Sequence, residues 1–173
     1  MIFNYFKKKG PLLRADIDVS EKFIIIQTMS SYGFSVTDPE GVCRTMNTTV
    51  SDKEVVNVLM EALQKSRELS ASEYNKIVAE EKNGEAKKEL ESLIKKLGYK
   101  EKKEYYKGLR SISVEKDRCE LRFIPSHQEN LYGYGPTAGG EKDYVIIPAD
   151  SSPEEIGKAL RLAISRCTSV FDT

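Results

Sequence analysis

The chain has 173 residues, room for one domain with a real core or for a domain that carries an insert. Hydrophobic residues make up 39% and charged residues 31%, a balance that describes a folded chain and excludes a disordered one. The 27 basic residues are matched by 27 acidic ones, so net charge gives no footing for nucleic acid or an anionic membrane as partner.

The opening MIFNYFKKKG puts apolar residues before the lysines, the reverse of a secretory signal, and no long apolar span follows. A cytoplasmic protein is expected. Residues 1–10 read as an edge strand or a loose arm. Asp16 and Asp18 could share a metal, but no third ligand stands near them in sequence. The simpler reading is that they face solvent from an edge strand. Phe23 to Met29 (FIIIQTM) is apolar enough for a strand buried on both faces. Phe34–Thr37 and Val42–Met46 flank Asp38-Pro39-Glu40-Gly41, whose proline and glycine positions suit a type I turn, so a hairpin is expected there.

Ser51 and Glu54 form the S-x-x-E of a capping box, with Val50 placed to staple onto Val55, and open a helix over about Asp52 to Leu69. Val55, Leu59, Ala62 and Leu63 lie on one face of it. A helical insert follows over about 70–98, broken near Asn83-Gly84. Its second part carries Leu90, Leu93, Ile94 and Leu97 on one stripe and closes on Gly98. Charge is uneven here: Asp38 to Glu81 has nine acidic against five basic residues, and Lys82 to Lys107 nine lysines against five glutamates. Such runs are solvated helix faces or a polarised surface that orients a charged partner.

From Arg110 the pattern alternates again. Ser111–Val114 and Cys119–Ile124 flank a charged turn, with Ile112 and Val114 facing Leu121 and Phe123 as in a half-buried hairpin that Pro125 ends. Ser126–Lys142 is the longest irregular stretch. Its glycines at 133–140 resemble a phosphate loop but fit neither G-x-x-x-x-G-K-[ST] nor G-x-G-x-x-G at a helix start. The single histidine, His127, has no dyad partner nearby and reads as a loop hydrogen-bonding residue rather than a general base. Tyr132 and Tyr134, among glycines, suit a protein interface or cover for the sheet edge. Cys43, Cys119 and Cys167 form no C-x-x-C pair and are expected as buried reduced thiols. No catalytic residue, cofactor or metal site is expected.

Tyr144–Ile147 reads as a buried strand stopped by Pro148. Ser152, Pro153 and Glu155 then give a complete capping box, followed by Ile156, Leu160, Ala163, Ile164 and Cys167 on one face. This helix repeats the first in register: S-x-x-E-φ-x-x-x-L-x-x-A-φ occurs at Ser51 and at Ser152, with Ser66 in the place of Cys167. Either two β–α halves are duplicated, or two well-capped amphipathic helices look alike. The expected fold is α+β (α/β in the broad sense), a single domain over 1–173. A central mixed or antiparallel sheet is packed by the capped helices, with the 70–98 insert at one edge.

Three segments carry a family resemblance: IPADSSPEEIGKALRLAISRC at Ile147–Cys167, SHQENLYGY at Ser126–Tyr134 and VLMEALQKSR at Val58–Arg67. Together they resemble the bacterial contact-dependent growth inhibition (CDI) immunity proteins, over roughly residue 23 to the C-terminus. Where that family often has a tryptophan after the histidine segment, this chain has Tyr132 and Tyr134. The resemblance implies a cytoplasmic protein, not an enzyme, that binds and blocks the C-terminal toxin domain of a CDI effector, a nuclease being the expected toxin. No direct nucleic-acid or membrane contact follows from it. Partner-binding candidates from the residues are Glu54, Glu61 and Glu68, seven apart on one helix face, with His127, Tyr132 and Tyr134. The competing readings are a small cytosolic enzyme or nucleotide-binding regulator built on His127 and the 133–140 loop, and a self-associating module.

Overall fold

The computed structural model describes residues 10–172 apart from Asn83, so the edge strand or arm expected at 1–10 lies outside the described residues but for Gly10. The strands are β1 (Leu13–Val19), β2 (Phe23–Tyr32), β3 (Phe34–Thr37), β4 (Cys43–Asn47), β5 (Arg110–Lys116), β6 (Glu120–Gln128), β7 (Tyr134–Pro136), β8 (Val145–Pro148) and β9 (Thr168–Ser169). Helices α1 (Asp52–Lys65), α2 (Ala71–Lys82), α3 (Glu85–Lys96) and α4 (Lys102–Lys107) precede β5, and α5 (Pro153–Arg166) follows β8. The strands form one sheet in the order β3-β2-β1-β5-β6-β7, with β4 also on β2 and with β8 and β9 on β6. Among the described strands only β9 pairs in parallel and the others are antiparallel, as expected for an α+β fold.

Strand alternation divides the sheet into two faces. Ala15, Ile17, Ile26, Ile112, Val114, Leu121 and Phe123 are fully buried on the first face, under α1 and α5. The helices meet this face with Val55, Leu59, Ala62 and Leu63 of α1 and Ile156, Leu160 and Ala163 of α5, the residues their 3.6 period selects. Burial of this continuous apolar layer is what drives the fold. Ser51 and Ser152 cap the two helices, each accepting the N–H of the glutamate three residues on at 3.3 Å. In α5 the Glu155 carboxylate returns the bond to the Ser152 N–H at 2.7 Å, completing the box.

The halves are duplicated, and the register settles it. Ile17 pairs with Ile26 as Val114 pairs with Phe123, and Ile24 with Met46 as Leu121 with Ile147. Ser31 and Ser35 match Gln128 and Tyr134 in the hairpins that follow. After each helix the chain returns parallel to the end of its strand, Glu68 to Ser31 and Ser169 to Gln128. β1 and β5 join the halves antiparallel, Ala15 opposite Val114 and Ile17 opposite Ile112, so a local two-fold passes between Asp16 and Ser113.

Several sequence expectations are corrected. β3 and β4 do not form a hairpin with each other. Both pair with β2, at its two ends, because Gly33 with φ +73° makes the tight turn, and Asp38–Gly41 is a jog in the outer edge. β1 is central rather than at an edge, so Asp16 and Asp18 are half-buried opposite Ser113 and Ser111 and do not face open solvent. β6 runs through Pro125 to Gln128, since Pro125 lies where β6 leaves β5 and begins to pair with β7. β8 is half-covered, with Ile146 50% exposed, because among the described strands β6 alone flanks it and α5 covers one face. Cys43 and Cys119 are exposed, one on the outer strand β4 and one in the turn before β6, and only Cys167 is buried. The Ser126–Lys142 stretch is partly regular, holding the end of β6, β7 and a 3-10 turn at Gly140–Asp143.

Candidate functional site

The second face of the sheet is where the two halves differ. The insert is broken at Gly84, whose φ of +78° suits glycine, and α2, α3 and α4 fold chiefly over the first half, with α4 also reaching Tyr132 and Gln128 of the second. Phe23 and Ile25 of β2 meet Ile94, Tyr105 and Leu109 there, with Leu90, Leu93 and Leu97 packed around them. Phe23 stacks on Tyr105 at 5.7 Å and takes Tyr99 edge-on at 5.8 Å. The aromatic contacts continue from Tyr105 to Tyr106 and on to Tyr132, each step 4.8 Å. Over the rest of the second half the same face is bare of helix and carries a cross-strand charge ladder, Arg14 to Glu115 at 3.5 Å and Glu115 to Arg122 at 3.7 Å.

Between sheet and insert runs a groove of ≈ 930 Å³. Its floor is Asp18, Ile25, Gln27 and Ser111, its walls include Tyr105, Tyr106 and Tyr134, and Asp38, Glu80 and Glu81 stand along it. Among the described residues that line it are four carboxylates and no lysine, arginine or histidine. Burial pushes the Asp18 carboxyl up to about 6, and the Asp16 charge adds to this while a hydrogen bond with Ser111 opposes it. Burial likewise lifts the hydroxyls of Tyr105 and Tyr134 well above the usual tyrosine range, and that of Tyr134 is enclosed without a hydrogen-bond partner among the described residues. Asp38 differs. Burial would raise its carboxyl, but Arg67, Ser30 and the Glu40 N–H outweigh it and hold the group low, with Arg67 Nε at 2.8 Å and Ser30 Oγ at 2.7 Å.

Gln128, 1% exposed, fixes the groove's far end. Its Nε2 donates to the Tyr106 carbonyl at 2.7 Å and the Leu131 carbonyl at 3.3 Å, while Ser169 Oγ donates to its Oε1 at 2.9 Å. One buried amide thereby ties α4, the tyrosine loop and β9 together.

The residues put forward from sequence fall in different places. Tyr134 lines the groove, and Tyr132, 65% exposed, continues its aromatic wall from Tyr106. His127 lies between β7 and β9 with Nδ1 2.8 Å from Thr168 Oγ1, which holds the return strand. Glu54 and Glu61 are exposed on α1, on the opposite side of the sheet from the groove. Glu68 is also exposed but lies beyond the Ser66 C-cap, so the three glutamates do not share one helix face. The glycine loop makes internal turns: the Tyr132 and Gly133 N–H groups donate to Asn130 Oδ1, and that of Gly139 to Asp143 Oδ2. Among the described residues no group of three His, Cys, Asp or Glu is placed to hold a metal. No helix among them is long and apolar enough to cross a membrane. Sequence reading missed Asp18, Tyr105, Tyr106 and Gln128 as parts of one site. The available signal was the alternation Ala15-Asp16-Ile17-Asp18-Val19, which marks a central strand with one acidic face.

A sequence profile described as "CDI immunity protein" matches residues 13–167. The immunity protein CdiI-YPIII of Yersinia pseudotuberculosis serotype O:3 (strain YPIII) is 30% identical over 166 residues, 88% of this chain and 94% of the relative. The chain belongs to the CDI immunity protein family. Among solved structures, the CdiA-CT/CdiI toxin and immunity complex from Yersinia pseudotuberculosis matches with a TM-score of 0.80 at 26% identity, over 92% of this chain and 99% of that one. A protein of unknown function, NMB0488 from Neisseria meningitidis, matches with a TM-score of 0.81 at 26% identity, over 96% and 99%. Within this CDI immunity fold, the groove and its aromatic rim are the candidate contact surface.

Proposed function

We propose that the protein confers immunity by binding the C-terminal toxin domain of a cognate CDI effector and neutralising it, acting in the cytoplasm and without chemistry of its own. Family membership and the likeness to a solved toxin and immunity complex support this reading. The observation that carries the location is the groove, a large concave surface with an acidic floor and an aromatic wall ending at exposed Tyr132. Aromatic anchors beside a desolvated polar group are what a tight interface needs. We assign the docking surface to that side, with Tyr132 and Tyr134 in contact. His127 acts through Thr168 by holding the return strand β9, and Glu54, Glu61 and Glu68 speed encounter with a basic toxin, a nuclease for example, without setting the bound-state affinity.

The test is co-expression with the C-terminal domain of the effector encoded beside this protein. The expected result is co-purification as a complex and rescue of growth, with Tyr132→Ala weakening the complex about tenfold or more. Reversing Glu54, Glu61 and Glu68 should alter the association rate at low salt and leave the dissociation rate within about twofold. Growth arrest unrelieved by the wild-type protein would sink the reading.

A further inference from the structure

We infer that the groove seats a cationic side chain, lysine or arginine, of the bound toxin domain against Asp18. This rests on the immunity reading above and names the chemistry of the contact. Asp18 lies on the groove floor between β2 and β5, and its neighbours are hydroxyls, rings and another acid: Ser111 beside it, Asp16 along the strand, and Tyr105, Tyr106 and Tyr134 in the walls. From the elements that close over it, α2 brings Glu80 and Glu81, α3 brings Leu90 and Leu93, and α4 brings Tyr105 and Tyr106 with Leu109 just after it. The charged side chains nearby already have other partners: Arg67 pairs with Asp38 at 2.8 Å, Lys76 with Glu80 at 3.9 Å, and Lys102 with Glu91, while Arg110 pairs with Asp172 through Nη2 and bears on Tyr134 rather than on Asp18, its Nη1 enclosed without a partner among the described residues. A carboxylate left at the bottom of an aromatic-walled slot is poorly solvated, and an incoming cation supplies the charge that its own fold withholds.

The walls fit such an occupant. Tyrosine faces attract ammonium and guanidinium groups, and the enclosed Tyr134 hydroxyl is an oxygen acceptor without a partner among the described residues. The depth of the groove also suits a long side chain, whose methylenes would lie along Ile25, Leu90 and Leu93 while the charged end reaches Asp18.

The seat links binding to protons. In the free protein Asp18 takes up a proton below about pH 6, and the cation must displace it.

The experiment is calorimetric titration of the full-length protein with the toxin domain of the adjacent effector at pH 8 and pH 5. Wild type, Asp18→Asn and Tyr134→Phe are compared, each first checked for native circular dichroism and a cooperative melt. Asn keeps the size of Asp and its contact with Ser111, so Asp18→Asn should fold. Expected are a loss of about tenfold or more for Asp18→Asn at pH 8, and a loss of about tenfold for wild type on going to pH 5. The pH response of Asp18→Asn should be flatter by that same factor, and Tyr134→Phe should keep the wild-type pH response with a smaller loss. Wild-type binding that Asp18→Asn leaves within twofold at both pH values would overturn the inference and leave the immunity reading standing. Absence of wild-type binding would overturn both.

Discussion

Ser66 and Cys167 occupy the same place in the two halves of the molecule. Each is the C-cap of its helix, with φ/ψ of −65°/136° and −64°/140°, and each donates its N–H to the carbonyl three residues back. Ser66 Oγ donates to the Met29 carbonyl at 2.7 Å and accepts the Arg14 N–H at 2.9 Å. Cys167 Sγ lies 3.6 Å from the carbonyl of Ser111, the residue that corresponds to Arg14. A hydroxyl is therefore already accommodated at this site in the other half. Cys167→Ser should cost less than about 1 kcal/mol, while Ser66→Ala, which leaves two half-buried backbone groups without a partner, should cost about 1–3 kcal/mol. Urea unfolding of the two variants checks the contrast.

Asp38 is a carboxylate buried at 2% exposure, satisfied by Arg67, Ser30 and the Glu40 N–H at 3.0 Å. Its folded carboxyl is held below the ordinary range, so the stability it contributes is present above that range and is lost as pH falls through the folded value. Arg67→Met removes the half-exposed partner and leaves a buried charge, at a cost of about 2–4 kcal/mol at pH 7. The variant should regain part of that loss on acidification, as Asp38 becomes able to protonate. Unfolding free energies between pH 4 and pH 8 should show the gap between the variant and wild type narrowing toward pH 4.

Asp18 gives the reverse sign. Its folded carboxyl titrates near 6 against an ordinary value of 3.8, so the fold binds this proton more tightly than the unfolded chain does. The contribution is complete below about pH 4 and is lost as pH rises through 6. In the absence of a partner, Asp18→Asn should be more stable than wild type by about 1–3 kcal/mol at pH 8, the gap closing below pH 5. Thermal melts across that interval measure it.

Gly41 abuts Thr28, with a Cβ at position 41 falling 2.4 Å from the Thr28 Cβ. Thr28 cannot move freely: its Oγ1 donates to the Ala62 carbonyl at 2.9 Å and accepts the Val42 N–H at 2.9 Å, tying α1 to β2 and to the jog before β4. Gly41→Ala should therefore cost about 1–3 kcal/mol. Hydrogen exchange should become faster at the Val42 amide before it does at the β1–β5 ladder.

Local signals carried much of this fold. The caps at Ser51 and Ser152, the breaks at Gly84 and Gly98, and the β5–β6 hairpin were legible because each rests on a few adjacent residues. The equivalence of Ser66 and Cys167 was legible for the same reason, through two helices that kept one pattern. The duplication of the strands was not, since β2 is apolar on both faces and β6 on only one, a difference imposed by the insert over Phe23 and Ile25. The groove was hidden for a related reason. Asp18, Tyr105 and Tyr134 are far apart in sequence, and only the return of the insert over the first half brings them together.

The insert leaves the first repeat just after Leu69 donates its N–H to the Ser31 carbonyl, and the chain rejoins the sheet at Arg110. The matching point in the second repeat is Val170, which likewise donates its N–H to the Gln128 carbonyl. Ser70 to Leu109 thus leaves and rejoins the sheet without interrupting a strand, and the roof of the groove is held to its floor by packing on Phe23 and Ile25. A substitution at Leu90 or Leu93 should therefore reshape the groove while the β1–β2 and β1–β5 registers stay as they are.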